Sequence, residues 1–121
     1  MRHEVRDSDT AASLGSGDVS VLATPRLIAW MEAETVHAAA PLVGAGQTTV
    51  GTGVRIDHVR VTPVGGSVDV SARVSSPGDA RHLTFEVTAT DDSGDKVAGG
   101  EIDRVVVDRE RFLSSLRERR G

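Results

Sequence analysis

Hydrophobic positions along the chain follow two periods, one typical of a helix and one typical of strands. Residues 24–40 have apolar side chains at the helical period, beginning with Thr24 and Pro25 and ending before Pro41. Thr24 is a good N-cap because its hydroxyl can accept a bond from a free amide, and proline at the first helical position has no amide to satisfy. The pattern therefore predicts one helix of about 16 residues, roughly 24 Å long.

Four later runs alternate between apolar and other residues with a period of two, which is typical of strands with one buried face. These runs are residues 48–61, 67–74, 82–90 and 96–108. The alternation assigns one face of the first run to Val50, Thr52, Val54, Ile56 and His58. In the last run, Gly99 and Gly100 interrupt the pattern, so we expect a bulge or a change of phase there.

Short connectors rich in Pro, Gly and Asp separate the strands, at residues 62–66, 75–79 and 91–95. Because connectors this short join neighbouring strands antiparallel, the pattern predicts a meander. A further strand is expected at residues 17–23, and the apolar spacing in residues 108–121 predicts a short closing helix. The predicted fold class is therefore α+β, with an antiparallel sheet of about five strands wrapped around one long helix.

Composition narrows the class of protein. A chain of 121 residues is expected to form a single domain, residues 1–121. The net charge of −4 is scattered, so nucleic acid is not an expected partner, and the lack of cysteine excludes disulfides and thiol catalysis. The histidines show no metal-ligand spacing, so no metal is expected. With no apolar run long enough to span a membrane and a charged amino terminus, we expect a soluble, cytoplasmic protein.

Two polar residues fall on faces that should be apolar. On the helix, Glu32 lies between Ile28 and Val36, on the side opposite Trp30. A buried carboxylate must be paired, hydrogen-bonded or in a cavity, although Glu32 could instead reach past the helix edge to solvent or to a basic side chain. His58 shares its strand face with apolar residues, and a single histidine there is more often structural.

If the helix and the strand pack together, or meet across a dimer interface, Glu32 and His58 share one cavity. A carboxylate and an imidazole are the groups that general acid and base catalysis or nucleophilic catalysis requires. Thr24 would add a hydroxyl at the start of the helix, although the pattern alone assigns it only a capping role.

The segments LATPRLIAWME, TTVGTGVRIDH, TPVG and RHLTFEV together resemble the fluoroacetyl-CoA thioesterase-like family of hotdog-fold proteins, over about residues 14–112. The resemblance implies a sheet wrapped around the long helix. It also implies a homodimer with an acyl-CoA site at the subunit interface, and two such dimers could pair into a tetramer. Three residues match the family's active-site positions: Thr24, Glu32 and His58.

Hydrolysis of an acyl thioester is the activity that the resemblance implies, with coenzyme A as part of the substrate and no other cofactor. Glu32 would act as general base or as nucleophile. His58 would orient and polarise the reacting groups, and Thr24 would hydrogen-bond the carboxylate or the substrate. The amides around Gly51 and Thr52 would bind the thioester oxygen.

The chain departs from the family in two places. Where the family often has a His-Glu-Arg run in the last strand, this chain has Ile102, Asp103 and Arg104. Its amino-terminal region is also short and lacks the aromatic residues that gate the acyl pocket of the fluoroacetate-resistance enzyme, so specificity for fluoroacetyl-CoA is not expected.

Two other functions stay open at this point. A protein of the same fold could bind an acyl-CoA or a small apolar ligand without turning it over. A dehydratase acting on an acyl thioester also uses a histidine and an acid, although the spacing here matches it less well. The sequence does not determine which acyl chain the substrate has, or whether the carrier of that chain is coenzyme A or a protein.

Overall fold

The architecture is one antiparallel sheet with a long helix packed on one of its faces. The structure is a computed structural model that describes residues 1–76 and 81–120. Its strands are β1 (Arg2–Glu4), β2 (Gln47–His58), β3 (Ser67–Ser76), β4 (His82–Asp91) and β5 (Lys96–Asp108). The helices are α1 (Ala11–Leu14), α2 (Thr24–Ala39) and α3 (Arg109–Arg120). The predicted α+β class, the long helix, the four long strands and the closing helix are confirmed.

The helix α2 buries one stripe of side chains against β2, β3 and β4. This stripe has the spacing of four expected for one helix face: Leu27, Met31, Thr35 and Ala39. It meets an apolar sheet face that includes Val70, Phe85, Val87 and Ile102, which are fully buried. The side of α2 that was expected to be buried, around Ile28, Glu32 and Val36, lies one position beyond this stripe, since Val36 is 48% exposed. Glu32 therefore lies beside the buried stripe rather than on it.

The order of strands in the sheet is β1-β3-β4-β5-β2. The meander is confirmed for β3, β4 and β5, although part of the connector predicted at residues 75–79 lies outside the described residues. For the first connector it is wrong, because β2 pairs with β5 and not with β3. Residues 59–66 are too long for a tight hairpin turn, and Thr62 accepts a hydrogen bond from the Leu22 amide just before α2. The chain therefore crosses one end of the sheet at this point.

The fifth strand is not where the pattern predicted it. β1 lies at the amino terminus and pairs with β3, with Arg2 opposite Asp69 and Glu4 opposite Ser67. Val21 and Leu22 form only isolated bridges, to Pro63 and Thr10 respectively. A strand of three residues is too short for its alternation to stand out in a charged segment, which explains why the sequence pattern missed it.

A bulge divides β2 into two halves with opposite phase. Gly51 lies opposite Arg104 and Gly53 lies opposite Asp103, so Thr52 is the extra residue. Gly51 faces α2, because a side chain there would meet Glu32, whereas Gly53 faces the other side of the sheet. The predicted single face is therefore wrong for Val50 and Thr52 and holds only for the half beyond the bulge. Residues 51 and 58 differ by an odd number, so both can face α2 only because of this bulge.

In β5 the irregularity lies slightly earlier than predicted. Against β4, the register shifts between Lys96 and Ala98, so the extra residue is Val97. Gly100 has a different role, since a side chain there would overlap the backbone carbonyl oxygen of Arg55 on β2. Gly100 thus permits the close approach of the two strands. Among the helices of the described residues, none has the length and apolar character needed to cross a membrane.

His3 of β1 stacks against Trp30 of α2, with ring centroids 4.3 Å apart and planes within 4° of parallel. The Nε2 atom of His3 is buried and has no hydrogen-bond partner within the described residues. Burial lowers the pKa of His3, and the charged amino terminus lowers it further, against the opposing charges of Glu34, Asp9 and Asp69. Burial and the nearby amino-terminal charge therefore favour a neutral imidazole at His3.

We expect Gly100→Ala to lower the free energy of unfolding by at least about 2 kcal/mol, because the new methyl group would overlap the backbone of β2. Gly99→Ala is the matched control, since its methyl group would meet only the flexible end of Lys96 and should cost less. Urea unfolding followed by Trp30 fluorescence measures both. Equal losses for the two variants would contradict this account of Gly100.

We also expect the protein to lose stability as the pH falls below about 6.5, the ordinary pKa of histidine. His3 binds fewer protons in the folded chain than in the unfolded chain, so the free energy of unfolding rises with pH in this range. His3→Phe keeps a ring against Trp30 but binds no proton, so its stability should depend less on pH between 7 and 5.5. Urea titrations at one protein concentration measure this, and an unchanged pH dependence would refute it.

Candidate active site

Thr24 and His58 lie in direct contact where α2 begins and β2 ends. The Thr24 hydroxyl oxygen is 2.8 Å from Nδ1 of His58. The predicted capping role of Thr24 is wrong, because the N-cap is Ala23, whose extended backbone precedes the first helical residue. Thr24 is itself that first residue and makes no capping bond, so its hydroxyl is available to the imidazole. We call these two residues the Thr24–His58 pair.

The His58 ring sits in a partly desolvated position. Burial lowers the pKa of His58, and the backbone of Arg60 opposes this only in part. Its Nε2 atom is buried and has no hydrogen bond of acceptable geometry within the described residues. The ring is therefore held in its neutral form near pH 7, with one nitrogen able to donate and the other able to accept. Thr24, by contrast, is exposed.

Glu32 lies two turns further along α2 and faces the first half of β2. Its side chain is half-buried, and a Cβ added to Gly51 would lie 3.2 Å from Glu32 Oε2. The same point would lie 3.4 Å from Nη1 of Arg104. Gly51 therefore leaves open the space between the carboxylate and the guanidinium, which form no direct ion pair within the described residues. Thr52, the bulge residue beside it, is exposed.

Arg104 is a buried cation, only 7% exposed, on the strand opposite Gly51. Its Nε donates to the Thr49 hydroxyl at 2.8 Å, and its Nη2 donates to the Thr49 carbonyl oxygen at 3.1 Å. Burial lowers the pKa of Arg104, while the charge of Glu32 raises it. These contacts fix the guanidinium beside the carboxylate. We call these residues the Glu32–Arg104 pair.

In the sequence, Arg104 stands out only as the last residue of the run in which the chain departs from the family, and the pattern predicts no role for it. Its position was nevertheless a usable signal, since Arg104 follows Ile102 by two residues and so falls on the inward face of β5. Ile102 is fully buried in the core. Asp103 faces the other side of the sheet, where it pairs with Arg55 at 2.8 Å and accepts a bond from Thr84. The departures at positions 102 and 103 therefore lie outside this site.

One chain does not bring all three matched residues together. Thr24 and Glu32 are eight residues apart on α2, which is about 12 Å along the helix axis. His58 contacts Thr24 at the end of β2, whereas Gly51, beside Glu32, lies in its first half. The chain thus carries two separate parts of a site. Within the part of the chain that the structure describes, no three acidic or histidine side chains cluster closely enough to hold a metal ion.

The Thr24–His58 pair forms one wall of a cleft of about 350 Å³. The other walls come from residues 11–22, ahead of α2, and from residues 59–61, which follow β2. The Glu32–Arg104 pair does not line this cleft. A hydroxyl, a neutral imidazole and a carboxylate supported by a buried cation are the chemical inventory for attack on a carbonyl carbon.

Comparisons with known proteins match most of the chain. A fluoroacetyl-CoA thioesterase from Streptantibioticus cattleyicolor is 32% identical to the chain over 99 residues, which are 82% of this chain and 70% of that protein. The crystal structure of the fluoroacetyl-CoA thioesterase FlK matches with a TM-score of 0.86 at 28% identity, covering 98% of this chain and 90% of that chain.

A thioesterase superfamily member from Thermus thermophilus matches with a TM-score of 0.90, covering 99% of this chain and 88% of that chain. At 21% identity this likeness shows the fold alone. The model of the family described as fluoroacetyl-CoA-specific thioesterase matches residues 5–110, which confirms the resemblance seen in the sequence. The chain belongs to the fluoroacetyl-CoA-specific thioesterase family and is a hotdog-fold thioesterase.

Proposed function

We propose that the protein hydrolyses acyl-CoA thioesters at a site shared by two subunits, in which Glu32 of one subunit faces Thr24 and His58 of the partner subunit. The observation that carries this proposal is the separation of the two parts of the site within one chain, by about 12 Å along α2. FlK variants have been solved with fluoroacetate and CoA and with acetyl-CoA, which supports coenzyme A as the carrier here.

The free edge of β2 supports the two-subunit arrangement. Within the described residues β2 pairs only with β5, so the backbone groups along its other edge are available to another strand. If β2 pairs antiparallel with a second copy of itself about an axis at Arg55, position 57 of one copy lies opposite position 53 of the other. Because Thr52 is an extra residue, position 58 of one copy then lies opposite position 51 of the other. Because Gly51 adjoins Glu32, this pairing joins the two parts of the site twice in each dimer.

In the proposed reaction Glu32 acts on the thioester carbon in one of two ways. As general base it removes a proton from water while the water oxygen bonds to that carbon; the carbon–sulfur bond then breaks, and the thiolate takes up the proton. As nucleophile its oxygen bonds to the carbon directly, the thiolate leaves, and water hydrolyses the resulting anhydride. Both routes release the free acid and the thiol of coenzyme A.

The remaining residues orient the reacting groups. Arg104 places a positive charge near the Glu32 carboxylate, and the missing side chain at Gly51 leaves room for that carboxylate. The neutral His58 bonds the exposed Thr24 hydroxyl, which can bond the substrate or the carboxylate. Backbone amides around Gly51 and Thr52 are the proposed donors to the thioester oxygen.

Glu32→Gln should lower kcat for acyl-CoA hydrolysis by at least about 100-fold, because the amide can neither remove a proton nor attack the carbonyl carbon. The matched control is Glu34→Gln, on the same helix with a side chain only 16% exposed, which should keep wild-type kcat. Thiol release measures turnover, and calorimetry checks that CoA still binds. Tight CoA binding without turnover of any acyl-CoA by the wild type would contradict the proposed hydrolysis.

Mixing Glu32→Ala subunits with His58→Ala subunits tests the shared site directly. If each site takes Glu32 from one subunit and His58 from the partner subunit, a mixed dimer has one intact site. Random exchange of equal amounts should then restore about a quarter of wild-type activity, since half the dimers are mixed and each has one of two sites. Each variant alone serves as the control. If activity does not recover after verified subunit exchange, the shared site is contradicted. Thioester hydrolysis by the wild type would not be contradicted by that result.

A further inference from the structure

The cleft beside the Thr24–His58 pair has a chemical character that the reaction itself does not explain. Apolar side chains dominate its lining: Val19, Val21, Leu22, Val59 and Val61. Three of these valines are largely exposed, with 59% exposure at Val19, 62% at Val59 and 68% at Val61. Exposed apolar side chains gathered around a concave site indicate a ligand surface rather than a core.

We infer that this cleft holds the acyl group of the substrate and selects an uncharged hydrocarbon chain of several carbons over acetyl or carboxyl-bearing acyl groups. This inference rests on the proposed function, because it places the thioester carbon against the Thr24–His58 pair. Thr24 and His58 line one wall of the cleft and apolar side chains line most of the rest, so the substituent on the carbonyl carbon is the part that would fit the apolar space.

Charge excludes an acidic acyl group. Arg60 is the basic side chain of the lining, and its guanidinium lies 3.9 Å from a carboxylate oxygen of Asp91 and 3.8 Å from one of Asp95. These two carboxylates already balance its charge. His58 adds no charge either, since burial lowers its pKa and keeps the ring neutral near pH 7. A carboxylate on the acyl chain would therefore lose its water without gaining a free cation as partner.

Size excludes a two-carbon acyl group as the best substrate. A volume of 350 Å³ has room for roughly ten water molecules, and an acetyl group would leave most of them against apolar walls. Each added methylene displaces such water, which corresponds to a gain of about fourfold in affinity per carbon. The loop that borders the cleft includes Ser16 and Gly17 and has no aromatic side chain to fill this space.

The test compares kcat/KM for acetyl-, butyryl-, hexanoyl- and succinyl-CoA. We expect a rise of about fourfold per methylene from acetyl to hexanoyl, and succinyl-CoA well below butyryl-CoA, which has the same number of acyl carbons. Val19→Phe should fill the cleft and lower the hexanoyl to acetyl ratio by about tenfold. Val64→Phe, at a valine 43% exposed and outside the cleft, should keep the wild-type ratio.

Calorimetry with the Glu32→Gln protein separates this inference from the proposed hydrolysis. Tighter binding of hexanoyl-CoA than of acetyl-CoA, weakened by adding Val19→Phe, would support the cleft as the acyl site even if the wild type turns over no thioester. If the binding affinity stays flat or falls as the acyl chain lengthens, or if succinyl-CoA binds most tightly, the inference is overturned whether or not hydrolysis occurs. An equal effect of Val19→Phe on all acyl-CoAs overturns it as well.

Discussion

The pairing of β2 with β5 determines where Gly51, His58 and Arg104 of the candidate site lie. It puts Arg104 opposite Gly51, and the extra residue in β2 shifts the phase of that strand once. Without that shift, Gly51 and His58 would face opposite sides of the sheet, and the two parts of the site could not both lie along α2. The same pairing leaves the outer edge of β2 without a partner strand in the described chain, which is the edge that a second subunit would need.

Glycine is required at the points where this arrangement is tightest. At Gly100 the backbones of β2 and β5 come so close that a methyl group would meet the Arg55 carbonyl. At Gly51 the missing side chain leaves room for the carboxylate of Glu32 and the guanidinium of Arg104. Burying such a cation is costly, and the two bonds to Thr49 together with the nearby carboxylate offset that cost. The site therefore depends on backbone spacing as much as on its polar side chains.

Charged residues on the two faces of the sheet differ in burial and in what they contact. On the outer face Arg55 makes a two-bond contact with Asp103, which also accepts from Thr84, and the Arg55 hydrogen bond lowers the pKa of the Asp103 carboxyl. These groups are partly exposed, so each contributes little to stability. On the inner face Arg104 is buried, and the half-buried Glu32 of α2 lies near it. Among the charged residues that the structure describes, Arg104 is the most deeply buried, and it lies in the candidate site.

Local patterns in the sequence determined the elements, because a helix or strand with one buried face must repeat its apolar residues at its own period. The long helix, the four long strands and the closing helix followed from those periods, and the family resemblance identified Thr24, Glu32 and His58. Periodicity could not reveal the pairing of β2 with β5, since that contact joins residues distant in sequence. Nor could it locate a bulge residue, the three-residue β1, or the loss of the capping role of Thr24 to Ala23. Only the tertiary structure decided that Thr24 contacts His58 while Glu32 stands apart beside Arg104, because distances between side chains depend on how the elements pack.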